Sequence, residues 1–174
     1  MALIPTPMIS APPALEHGEI MRRIPHQGRM CLLDQVTSWD ESQIFCQATS
    51  HRAIDNPLRA YGRLGAACGI EYAAQAMAVH GALISESAAV PGSCAAEGTN
   101  GYLVSVRGVT LYVDRLDDVE LDLTIHAERS SGDAASILYG FTVHAGPALL
   151  LSGRAVVILE APAQTSTALS RGKP

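Results

Sequence analysis

Glu71 and Gln75 stand four residues apart in the stretch CGIEYAAQAMAVHG, residues 68–81. Side chains at i and i+4 share a helix face, where a Glu and a Gln can bond each other or one substrate. Glu71 falls in the first turn, where unpaired N–H groups and the positive end of the helix dipole favour a carboxylate. On a surface helix such a residue is only a cap. Here its flanks are apolar and it follows glycines at 62, 65 and 69, which let backbone donors approach a ligand closely. A carboxylate between a glycine-rich loop and a dry helix can be tuned as a general acid or base. Gln75 reads equally well as a buried amide satisfied by backbone.

The imidazoles offer less. His51 lies nearest to the helix in sequence and is a candidate catalytic partner, or a histidine at the end of a strand. His80 reads as a satisfied buried or interface histidine, and His126 and His144 as strand side chains. Asn56, before Pro57, either holds a small ligand or only starts a turn. Arg52, Arg59 and Arg63 cluster in the loop before the helix, where guanidinium groups can grip phosphate or an acidic surface, or simply face solvent.

These residues need elements to position them. Leu15 to Ile24 reads as a short helix stopped by Pro25. Met30–Val36 and Gln43–Thr49 read as an antiparallel pair about the turn at Ser38-Trp39-Asp40. One long helix, from about Gly69 to Ser85, carries alanines and aliphatic residues on nearly every side, so it is buried all round. Strands follow at Tyr102–Tyr112, Val119–Arg129, Ile137–Ala145 and Leu149–Leu159, with turns at Gly132-Asp133 and Gly146-Pro147. The class is α+β: an antiparallel sheet covering one helix. Residues 1–15 and 161–174 read as a flexible lead and tail about a single domain spanning 16–160.

Composition narrows the function. A chain of 174 residues that is 48% hydrophobic and 17% charged buries a real core and exposes an unusually uncharged surface, as a subunit of an oligomer would. A net charge of -5 without a basic stripe argues against nucleic acid. Cys31, Cys46, Cys68 and Cys94 stand apart, without metal-ligand spacing, and read as buried thiols; no metal is expected. The opening has no positive segment before an apolar run and is broken by Pro5, Pro7, Pro12 and Pro13. Neither a secretory leader nor a membrane span is expected, and a cytoplasmic location is the default.

Three segments together resemble a known family. IPHQGRMCLLDQV (24–36), GIEYAAQAMA (69–78) and GYLVSVRGVTLY (101–112) resemble, in order, motifs of the hotdog-fold 3-hydroxyacyl-acyl-carrier-protein dehydratases. The branch associated with aryl polyene gene clusters is the most similar. The resemblance implies a long central helix wrapped by a curved antiparallel sheet, and dimers whose sheets join, with the partner either a second copy or another dehydratase-like chain. It implies a substrate carried on the phosphopantetheine of acyl carrier protein, and no other cofactor. Glu71 matches the family's helix carboxylate, which works together with a His from the facing subunit, and N–H groups near Ala66 and Ala67 match its carbonyl-polarising donors. His26 matches the family's P-H motif, structural there, which implies a loop anchor. Gln75 and Asn56 become candidate substrate contacts, with Asn56 on a water or a thioester oxygen, and Arg52, Arg59 and Arg63 candidate carrier-protein contacts. Where the family carries its catalytic His, this chain reads Asp55-Asn56-Pro57-Leu58.

Three functions fit. The chain is a dehydratase subunit paired with a His-bearing hotdog partner, a hotdog thioesterase relying on Glu71, or a non-catalytic partner in which Glu71 is a helix cap.

Overall fold

The structure is a computed structural model and describes residues 14–88, 101–132 and 136–159. Its strands are β1 (Leu15–Glu16), β2 (Gln35–Trp39), β3 (Gln43–Ala48), β4 (Gly101–Leu111), β5 (Leu123–Gly132), β6 (Ser136–Ala145) and β7 (Ala148–Leu159). Its helices are α1 (His17–Met21) and α2 (Gly69–Ala88). The strands form one antiparallel sheet in the order β1-β2-β3-β5-β6-β7-β4, which leaves β4 at an edge. The expected α+β arrangement of a long helix against an antiparallel sheet is therefore present.

Strand alternation explains the layering. Ile44, Cys46 and Ala48 of β3, Leu123, Ile125 and Ala127 of β5, and Ile137, Tyr139, Phe141, Val143 and Ala145 of β6 are all buried. Between them stand the outer-face residues Phe45, Thr124, His126, Thr142 and His144. The inner face receives α2, which packs on β3, β5 and β6 through Tyr72, Ala73, Ala76, Val79 and Leu83. One flank of α2, with Ile70, Ala74 and Ala78, stays only half-buried in the single chain.

The approach of helix and sheet is close enough to dictate a residue. A Cβ at Gly69 would lie 2.3 Å from Leu151 Cδ2, and Leu151 is itself fully buried on β7. Just before β7, Gly146 adopts φ +54° in the two-residue turn it forms with Pro147, between the paired Ala145 and Ala148.

Three expectations shift at their edges; the strand expected from Val119 begins only at Leu123. Leu15, placed in the flexible lead, is buried and pairs with Val36 in β1, because its side chain completes the core beside Ile20. The strand expected from Met30 begins only at Gln35; Gly28–Met30 form a 3-10 turn instead, with Gly28 at φ +56°. The rest of the lead, the tail, Cys94 and the turn residue Asp133 lie outside the described residues.

Most buried polar groups in the core are paired; His51 Nδ1 and Trp39 Nε1 are exceptions among the described residues. His80 is fully buried; its Nε2–H donates to the Asp40 carbonyl at 2.7 Å, and Tyr139 O–H donates to its Nδ1 at 3.0 Å. That assignment suits Tyr139, whose phenol burial pushes up to about 12. Burial lowers the pKa of His80, opposed by the nearby Asp40 and reinforced by Arg129, and it also lowers that of fully buried His51.

Two measurements check this packing. Gly69→Ala should lower stability by about 1–3 kcal/mol through overpacking, and the loss should shrink when Leu151→Ala is combined with it, read as melting temperatures. The histidines predict a pH dependence. The unfolded chain protonates His51 and His80 near 6.5 and the folded chain resists, so their stabilisation is complete above that pH and is lost as pH falls below it. Melting temperature should drop between pH 7 and 5, at up to ~1.4 kcal/mol per pH unit for each histidine, and His80→Gln should flatten the slope. Asp40, held down to about 2 chiefly by the Ser42 hydroxyl, loses its contribution only in a lower window.

Candidate active site

The site is built where α2 begins. Residues Ala66–Cys68 form a 3-10 turn that runs directly into α2 and brings Glu71 into its first helical turn. The Glu71 side chain is 32% exposed, so it meets solvent at the rim of an otherwise apolar helix. One carboxylate oxygen, Oε1, takes every contact: Gln75 Nε2 donates to it at 3.1 Å, and His26 Nε2 lies 3.1 Å away. Oε2 makes no hydrogen bond among the described residues.

Gln75 is fully buried, and its amide is committed internally. Leu32 N–H donates to its Oε1 at 2.8 Å, and its Nε2 donates to the Met30 carbonyl at 2.8 Å as well as to Glu71. The residue named as a possible substrate contact is thus a clamp between α2 and the segment that precedes β2. No hydrogen-bonding capacity in its NH2 group remains for a ligand.

His26 reaches Glu71 because its loop is shaped by its neighbours. Pro25 follows α1 and cannot continue it. The Gln27 side chain then donates to the Met21 and Ile24 carbonyls at 2.7 and 3.2 Å, satisfying groups that the helix end leaves open. The 3-10 turn at Gly28–Met30 returns the chain toward Gln75. Arg29 Nε lies 3.2 Å from Asp55 Oδ2, tying this loop to the one around Asn56. The loop-anchor reading of His26 from sequence missed the contact with Glu71. No spacing rule connects residues so far apart; only the fold brings them together.

Asn56 is not open to a ligand. Its Nδ2 donates to the Ser50 carbonyl at 2.8 Å and to Tyr72 Oη at 3.0 Å, while Leu58 N–H donates to its Oδ1 at 2.9 Å. The side chain is spent on holding the loop and the buried Tyr72 hydroxyl, which corrects its reading as a substrate contact. His51 is likewise placed away from Glu71. It is fully buried with Nε2 3.1 Å from the Val119 carbonyl, so it braces the approach to β5.

The expected backbone donors divide. Ala66 N–H already donates to the Asp114 carbonyl at 3.0 Å and cannot polarise a substrate. Ala67 is exposed, and its N–H has no acceptor among the described residues, so it alone keeps the expected role open.

The arginines divide too. Arg59 is nearly buried, donating to Asp117 Oδ2 at 3.2 Å and to the Ala53 and Gly62 carbonyls at 2.8 and 3.0 Å. Asp117, whose carboxyl the Arg115 guanidinium holds well below the usual range, also accepts from Leu64 N–H at 3.0 Å. Arg52 bonds the Glu120 carbonyl and Asp122 at 2.7 and 2.6 Å. Both brace the loop; Arg59 is thereby spent internally, while Arg52 stays exposed at the surface. Arg63 is exposed, and its guanidinium has no partner among the described residues.

The remaining groups are structural. Cys31 and Cys46 are buried thiols and Cys68 is half-buried, with burial pushing Cys46 up to about 12. His126 stacks on Phe45 on the outer face, with ring centroids 4.3 Å apart. Among the described residues no three His, Cys, Asp or Glu side chains converge as metal ligands would, and no helix is long and apolar enough to cross a membrane.

Comparison with known proteins agrees with this architecture. A chain of the dehydratase heterocomplex ApeI:P from Xenorhabdus doucetiae superposes with a TM-score of 0.70 at 22% identity, covering 82% of this chain and 91% of that one. A hypothetical thioesterase with coenzyme A from Streptococcus pneumoniae TIGR4 gives 0.51 at 10% identity, over 72% of this chain and 84% of that one. A thioesterase family protein from Silicibacter pomeroyi gives 0.51 at 12%, over 73% and 84%. At such identities these likenesses speak for the hotdog fold alone. Comparison with curated proteins gives no match. A family model described as ApeP-like, ApeP dehydratase, matches residues 18–169, nearly the whole chain, and by that match the chain belongs to the ApeP-like family of dehydratases.

Proposed function

We propose that this chain is one subunit of a dehydratase that removes water from 3-hydroxyacyl thioesters of the aryl polyene type, carried on the pantetheine arm of an acyl carrier protein. The observation that carries this reading is Glu71, partly exposed at the start of a buried helix, with Oε1 held and Oε2 without a partner among the described residues. Elimination breaks a C2–H bond and a C3–O bond. The C2 proton needs a base, the departing hydroxyl needs a proton, and the thioester oxygen needs a donor while it carries negative charge. Oε2 of Glu71 suits the second task, and Ala67 N–H at the helix start suits the third.

A second hotdog chain fits the surfaces left open. The edge strand β4 exposes Leu103, Val104 and Leu111, followed by Tyr112, an apolar row beside unpaired backbone groups. The half-buried flank of α2 offers Ile70, Ala74 and Ala78. The similar chain from Xenorhabdus doucetiae belongs to a dehydratase heterocomplex, which supports a partner of another sequence over a second copy. Arg63, near the loop that leads to the site, is the arginine left free for an acidic carrier protein. The distant thioesterases share the fold, and family membership favours dehydration over hydrolysis.

The reading is checked by following water loss from a 3-hydroxyacyl carrier-protein thioester by mass. In the complex with its hotdog partner, Glu71→Gln should cut turnover by about 10²–10⁴-fold. Release of free acid in place of water loss would refute the reading. For the interface, Val104→Arg should weaken assembly at least about tenfold in a sedimentation titration, a change of ~1.4 kcal/mol. An unchanged association constant would exclude β4 as the joining edge.

A further inference from the structure

A carboxyl group that delivers a proton has two oxygens on which to carry it, and the choice between them decides where the proton points. In Glu71 the two oxygens stand in different surroundings. Oε1 accepts the Gln75 Nε2–H at 3.1 Å and lies 3.1 Å from His26 Nε2, whereas Oε2 has no partner among the described residues. The ring of His26 settles what that nitrogen presents. Nδ1 is buried without a hydrogen-bond partner, so a hydrogen placed there would meet no acceptor. A bare Nε2 would set its lone pair against a carboxylate oxygen 3.1 Å away. Nε2 therefore carries the ring's hydrogen, on the side of Oε1. The two N–H groups come from separate elements, Gln75 from the next turn of α2 and His26 from the loop after α1. The His26 and Glu71 side chains are 29% and 32% exposed, so water competes for either contact alone.

We propose that His26 is a positioning residue for Glu71: together with Gln75 it sets two N–H groups on Oε1 and thereby confines the acidic proton of the site to Oε2. The inference rests on the dehydratase reading above and adds the group that orients its acid. An oxygen that already receives two N–H groups has no place for a hydrogen of its own, since its two lone pairs are taken. The carboxyl group therefore binds its proton at Oε2. In the elimination a base supplied by the hotdog partner takes the C2 proton, and the electrons of that bond form the C2–C3 double bond. The C3–O bond breaks, and the hydroxyl leaves as water with the proton from Oε2. Glu71 is left as a carboxylate whose charge the same two N–H groups hold. It regains its proton when the base gives up the one taken from C2. His26 touches no substrate in this scheme. Its contact, paired with that of Gln75, stops the carboxyl group from rotating and exchanging its oxygens.

The test uses the full chain in complex with its hotdog partner, with substitutions in this chain only. Each variant is given two carrier-protein thioesters. One is 3-hydroxyacyl, whose hydroxyl needs a proton to leave; the other is 3-chloroacyl, whose chloride leaves without one, and its uncatalysed elimination is subtracted. The readout is the ratio of the two kcat values. That ratio does not depend on how much of a variant is folded, and a role confined to loop structure lowers both rates alike. His26→Phe fills the space of the ring without its N–H group, and His26→Gln keeps an N–H group. The expected result for His26→Phe is a loss of up to about 10²-fold in kcat on the hydroxyl substrate, with KM close to parental and a much smaller loss on the chloride substrate. His26→Gln should recover part of it. A parental ratio in His26→Phe would overturn the positioning role, and a ratio lowered in Glu71→Gln would leave the dehydratase reading standing. Parental turnover of the hydroxyl substrate by Glu71→Gln would overturn that reading and the inference with it.

Discussion

A single buried amide holds the site together. Gln75 sits on a helix with no access to water, where an unpaired polar group costs about 1–3 kcal/mol, so each of its bonds has to be supplied by protein. The donors and acceptors that meet that need come from Met30, Leu32 and Glu71. The same bonds that satisfy the amide therefore dock the segment before β2 onto α2 and fix the carboxylate. The His26 loop, continuous with that segment, inherits its place from this docking. Fold and chemistry are coupled here through one side chain, whose removal would leave a buried Leu32 N–H without a partner.

Much of the scaffold could be read from the sequence because its signals are local. The alternation in Ile137–Ala145 and the glycine and proline of the β6–β7 turn mark their elements directly. The largely apolar character of residues 69–84 marks a helix that needs cover, and its first-turn carboxylate stands out against it. The strand boundary near Met30 was harder, because apolar residues there face Gln75 and the core from an irregular segment that lacks a ladder.

The site was less legible, for a physical reason. Residue type and position near the helix single out Glu71, but whether a polar side chain is available depends on partners distant in sequence. Asn56, Arg59 and Ala66 carry suitable groups, yet Tyr72, Asp117 and Asp114 consume them. His26 presents the reverse case, since its contact with Glu71 exists only once α1, the 3-10 turn and α2 are assembled. The resemblance of the P-H motif pointed to its loop and not to its partner.

The knot around Asn56 limits which residues the position can hold. Its amide serves Ser50, Tyr72 and Leu58 at once, through two donors and one acceptor. An imidazole has two nitrogens and cannot reproduce three such bonds in one plane. Replacing Asn56 with histidine would loosen the loop and strand the Tyr72 hydroxyl. A histidine is therefore accommodated here only if several residues change together.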